Sequence, residues 1–105
     1  MEMAKYILSI LRTNLTIFWS WGSSDFNAIE NGLKFKANGF IHRSWVVIKY
    51  NEGSDLFDVF LYSSTMTLVK DFEGIYIDML VEVIDMNVER ANNYDDLVKS
   101  KYSQL

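Results

Sequence analysis

Hydrophobic positions change period along this chain, and each change marks a change of element. Between residues 2 and 13, Met3, Ile7, Ile10 and Leu11 recur at helical spacing with Ala4 and Leu8 beside them, which predicts an amphipathic N-terminal helix. Residues 15–21 contain Thr16, Ile17, Phe18, Trp19 and Trp21, β-branched and aromatic types that favour strands, and the loop cluster Gly22-Ser23-Ser24-Asp25 ends the run. Residues 17–21 are therefore expected as a short strand extending the sheet, with Trp19 and Trp21 on one face. Asp25 is placed to cap a single helical turn through Ile29, which Asn31-Gly32 would close.

From Leu33 the period becomes two. Leu33, Phe35, Ala37, Gly39 and Ile41 alternate with Lys34, Lys36, Asn38 and His42, the pattern of a half-buried strand. Asn38-Gly39 also fits a tight hairpin turn, but the alternation runs through it, so the strand is read as continuing to a turn at His42-Arg43-Ser44, with glycine at a bulge. Val46, Ile48 and Tyr50 mark a second strand, and Asn51-Glu52-Gly53-Ser54 a turn. Leu56 to Tyr62 forms a third strand with Phe57, Val59 and Leu61 on one face, and Thr67 to Phe72 a fourth after Ser63-Ser64-Thr65. Connectors this short permit only antiparallel pairing, so the four strands form a meander.

After Gly74 the period is helical again. Ile77, Leu80, Val81, Ile84 and Val88 share one sector of a helical wheel, which predicts a long amphipathic helix covering the sheet and closed by Asn92-Asn93. A short tail helix is expected over residues 94–102, where Asp95 and Asp96 precede Lys99 and Lys101 in the order that suits a helix dipole. The fold class that follows is α+β, with helices and a four-stranded antiparallel sheet, extended by the strand at 17–21, packed as two layers.

Composition narrows the setting. The 105 residues suit one domain, residues 1–105, and with 50% apolar and 23% charged residues the chain is suited to folding. A domain this small buries only roughly 60–70% of its unfolded surface, so so apolar a chain is expected to leave hydrophobic side chains outside, as a surface for a partner or a second copy. With no cysteine and no secretion signal, and with no uncharged apolar run near the roughly 20 residues that span a bilayer, a cytoplasmic domain without a membrane segment is expected.

Catalytic chemistry finds little support. His42 is the only histidine, and its neighbours Arg43 and Ser44 suggest a solvated turn rather than a general base. One histidine without cysteine does not make a zinc site. The five glycines stand too far apart for a phosphate-cradling loop, so no cofactor is expected. Asp55 and Asp58, three apart on a strand, would face opposite sides and so would not share a proton or a metal ion.

Charge is more informative. Residues 1–50 carry six Lys/Arg against three Asp/Glu, and residues 51–105 four against eleven. In the second half, Asp78, Glu82, Asp85 and Glu89 recur at i, i+4, i+7 and i+11, an acidic ridge along the long helix that is either a solvated face or a docking surface for a basic protein partner. A second apolar stripe on the same helix, Tyr76, Met79, Val83 and Met86, is a candidate interface for a homo-oligomer. Lys34, Lys36, Arg43 and Lys49 near Trp45 form a basic aromatic group of the kind that binds single strands, but the net charge of −4 argues against nucleic acid as the partner.

The segments Trp19-Ser20-Trp21-Gly22, Ala28-Ile29-Glu30-Asn31-Gly32-Leu33, Tyr50-Asn51-Glu52-Gly53 with Asp55-Leu56-Phe57-Asp58-Val59, and Val81-Glu82-Val83-Ile84-Asp85 together resemble a family of short, uncharacterised bacterial proteins of about this length. The resemblance implies a bacterial, single-domain protein and assigns no activity and no site residues. Taken together, the residues point to a small non-enzymatic binding or adaptor protein. The alternative is a small-ligand carrier or an enzyme whose site is assembled from distant strands around Trp19, Trp21 and Trp45.

Overall fold

A computed structural model describes residues 2–89. The elements run α1 (Glu2–Leu11), α2 (Leu15–Ser20), β1 (Ser24–Ile29), β2 (Gly32–Lys36), β3 (Trp45–Asn51), β4 (Leu56–Tyr62) and β5 (Leu68–Ile75), then a 3₁₀ turn (Ile77–Met79) that leads into α3 (Leu80–Val88). The class is α+β. Among the described residues, five strands form one antiparallel sheet in sequence order, so the count exceeds the expected four. The additional strand is β1, not residues 17–21. The expected turn at Asn92-Asn93 and the tail helix at 94–102 lie outside the described residues.

Residues 15–20 are helical because local capping and tertiary packing outweigh β propensity. The Asn14 side chain accepts from the Ile17 amide at 3.2 Å, satisfying one of the donors that a helix start leaves open. Phe18 and Trp21, one helical turn apart, then face inward: their rings meet edge to face at 5.8 Å, while Trp21 stacks on Phe35 and Phe18 on Phe26. Trp19 is consequently turned outward and is 70% exposed, whereas Trp21 is fully buried, so the two do not share a face.

Segment 24–29 is an edge strand rather than a helical turn, because the chain reverses at Glu30-Asn31 and pairs Ala28 with Leu33 and Asn27 with Lys34. Asn31 takes the reversal with φ of 54°, a conformation asparagine tolerates.

The first expected strand ends early. β2 stops at Lys36, and residues 37–44 leave the sheet to wrap the C-terminal end of α3. The amides of Ile41 and His42 both donate to the Val88 carbonyl, at 2.9 and 3.1 Å, and the Asn38 amide donates to Trp21 O. Gly39 is required at this contact, since a Cβ there would lie 2.1 Å from the Val88 oxygen. Ile41 is half exposed rather than buried. His42, expected in solvent, is buried with Nε2 3.0 Å from the Trp45 carbonyl; a carbonyl only accepts, so Nε2 donates.

β3 and β4 follow the predicted alternation. Val46 pairs with Leu61, Ile48 with Val59 and Tyr50 with Phe57, and the opposed residues of each antiparallel pair share a face. These positions join Leu33, Phe35 and Ile75 in one core with Ala4, Ile7 and Leu11 of α1, Phe18 of α2, and Leu80, Ile84 and Val88 of α3. No helix among the described residues is long and apolar enough to cross a membrane.

Candidate functional site

The packing of α1 against α3 leaves a groove of ≈ 650 Å³ whose lining includes Ile10, Ile17, Ile77 and Val81. All four are only half buried, so an apolar strip remains accessible to water. One wall runs from Tyr6 on α1 through Asn14 to Ile17 on α2, and the other from Ile77 to Asp85, the latter about 12 Å long at roughly 1.5 Å per helical residue.

Three of the four ridge carboxylates line this groove: Asp78, Glu82 and Asp85. Asp78 and Glu82 are exposed, in the first turns of the 3₁₀ segment and of α3, where the positive end of the peptide dipoles favours them. Asp85 is different. It is only 8% exposed, and its Oδ1 accepts from Trp21 Nε1 at 3.0 Å, so the indole fixes the carboxylate beside the apolar strip.

Glu89 departs from the ridge altogether. It is 7% exposed, its Oε2 accepts from the Phe40 amide at 3.2 Å, and it lines a separate polar concavity of ≈ 270 Å³ with Ser20, Asn38, Gly39, Phe40 and Arg43. The continuous ridge expected from spacing therefore divides into two exposed carboxylates, one buried carboxylate at the groove, and one that holds the 37–44 loop. Spacing places residues on a helix face but not the neighbours that close over it.

The second apolar stripe, which begins ahead of α3 at Tyr76 and Met79, is largely open: Tyr76, Met79 and Met86 are exposed and Val83 is half buried. The three tryptophans fall in three environments. Trp21 is in the core, Trp19 projects from α2, and Trp45 lies half buried on β3 beneath Lys34, whose Nζ is 4.4 Å from the ring centroid. None lines either concavity.

Asp55 and Asp58 are both engaged by the sheet. Asp55, at φ of 57° in the turn before β4, accepts from the Tyr50 hydroxyl, and Asp58 Oδ1 accepts from the Gly74 amide at 3.0 Å. Among the described residues, no group of three or more His, Cys, Asp or Glu side chains is arranged to hold a metal ion.

No family model, curated protein or solved structure matches this chain.

Proposed function

We propose that this domain is a small non-enzymatic binding protein, two-layered with its helices over one sheet face, and that the groove between α1 and α3 docks a basic amphipathic helical segment of a protein partner. The observation that carries the reading is the coincidence of an accessible apolar strip with three carboxylates in one groove. The apolar face of a docked helix would cover Ile10, Ile17, Ile77 and Val81, and such burial is worth about 25 cal/mol per Å². Lysine or arginine on its flank would meet Asp78 and Glu82, which selects for cations and speeds encounter more than it adds affinity. A length of about 12 Å accepts roughly two helical turns, which favours a helical segment over a compact ligand.

A synthetic Leu/Lys amphipathic helix and its Leu/Glu counterpart test this reading. The basic peptide is expected to bind, to shift the methyl resonances of Ile10, Ile17, Ile77 and Val81, and to lose affinity to the Asp78→Asn/Glu82→Gln variant. Equal binding of both peptides, or shifts confined to another surface, would refute it.

The open stripe of Tyr76, Met79 and Met86 supports a homodimer contact on a different side of α3. Sedimentation that remains monomeric at high micromolar concentration would remove that part of the reading.

A further inference from the structure

The sheet positions that alternate with the core form a second face with its own composition. In one cross-strand row, Lys36 of β2 lies opposite Trp45 of β3, which lies opposite Tyr62 of β4; in the next, Lys34 lies opposite Val47 and Val47 opposite Phe60. Opposed residues of an antiparallel pair project to the same side, so these six side chains share one surface. Val47 is buried although it stands outside the core cluster, which shows that its neighbours on this face close over it. Trp45, Phe60 and Tyr62 are each half buried, leaving ring surface available.

The lysines are organised around the rings. Lys34 and Lys36 place Nζ 4.4 and 5.4 Å from the Trp45 ring centroid, and among the described residues neither ammonium has a carboxylate partner. The acidic residues of α3 lie on the core side of the sheet, where Leu80, Ile84 and Val88 pack, while the carboxylates of this face stand toward β5, with Asp71 opposite Phe60 and Asp58 opposite Lys49. The face is thus mixed in charge, with its basic and aromatic part at Lys34, Lys36 and Trp45 on β2 and β3. Of the basic group read from the sequence, Arg43 is elsewhere, beside Glu89 in the polar concavity.

We propose that this face binds single-stranded nucleic acid, with bases stacked on Trp45 and its aromatic neighbours and phosphates held by Lys34 and Lys36. The two lysines are two residues apart on one strand, about 6.7 Å at the backbone, and their long stems reach adjacent phosphates of an extended strand. A duplex keeps its base faces stacked inside, and an acidic peptide offers carboxylates without bases. Ammonium groups beside half-buried aromatic rings match the single strand best. This site is independent of the groove.

The test is fluorescence anisotropy with a labelled oligothymidine of about 16 nucleotides, within the range of single-strand site sizes, alongside the duplex and polyglutamate. The wild-type protein is expected to prefer the single strand. The Lys34→Gln/Lys36→Gln variant should bind at least tenfold more weakly at low salt, and the slope of log affinity against log salt should shrink by about 1.4, at roughly 0.7 per phosphate contact. Lys36 is exposed and Lys34 half buried, and glutamine keeps most of each stem, so the variant should remain folded with a thermal midpoint close to wild type. Absence of oligothymidine binding at low salt, equal binding of polyglutamate, or wild-type affinity in the double variant would each overturn the proposal.

Discussion

Trp21 Nε1 donates to Asp85 Oδ1 at 3.0 Å, joining the end of α2 to the middle of α3 across 64 residues of sequence. Both partners are buried, so removing the acceptor leaves an indole N–H without water to replace it. Asp85→Leu should cost about 1–3 kcal/mol, whereas Asp85→Asn, which keeps a carbonyl oxygen in place, should cost less. Urea unfolding followed by tryptophan emission measures both. A leucine variant as stable as wild type would show that the bond contributes nothing to the fold.

Gly39 makes the second long-range closure. Gly39→Ala places a methyl group where the Val88 carbonyl stands, so the 37–44 loop must move away from α3. Overpacking of this kind costs about 1–3 kcal/mol. The amides of Ile41 and His42, which donate to Val88 O, should exchange with solvent faster in the variant than in wild type. Unchanged protection at both amides would count against this account of the loop.

The elements that were legible in the sequence are those with one periodic buried face. β3 and β4 read correctly because Val46, Ile48 and Tyr50 oppose Leu61, Val59 and Phe57 without interruption. β1 was missed because it is an edge strand exposed at every position but Ile29, so burial imposes no period on it. α2 was missed because Thr16, Ile17 and Trp19 carry strand propensity, although Asn14 followed by Phe18 and Trp21 at helical spacing was an available signal. The candidate site was half legible: the carboxylate spacing on α3 was visible, but the groove needs α1 beside it. The burial of Asp85 depends on Trp21, which no local pattern links to it.

Tyr50 provides a pH signature. Its hydroxyl donates to Asp55, and that bond, followed by slight desolvation and the charge of Asp55, raises the phenol above its ordinary value of 10.0. The folded state thus holds this proton to higher pH than the unfolded chain does. Its contribution to stability is complete below about pH 10 and is lost as pH rises through the folded-state value. In spectra of tyrosine-labelled protein, Tyr50 should titrate above the ordinary value and move down in Asp55→Asn. A Tyr50 titration at or below the ordinary value would contradict the assignment.

The division of the acidic ridge gives the last prediction, in which stability and binding separate by residue. Asp78 and Glu82 are exposed at helix starts, and neutralising them has two opposed effects. Losing favourable dipole interactions costs about 0.3–1 kcal/mol each, while relieving the repulsion between them returns about 0.2–0.5 kcal/mol. Asp78→Asn/Glu82→Gln should therefore change stability by no more than about 1–2 kcal/mol, yet weaken binding of a basic peptide in the groove. Glu89 should behave in the opposite way. It lines the other concavity and its carboxylate accepts from the Phe40 amide, so Glu89→Ala should destabilise by about 1–3 kcal/mol and leave peptide affinity unchanged in the folded protein. Denaturant unfolding and peptide titration on the two variants measure all four quantities. If Glu89→Ala weakened the peptide as much as the Asp78/Glu82 pair did, the four carboxylates would act as one surface and the division drawn from burial would be wrong.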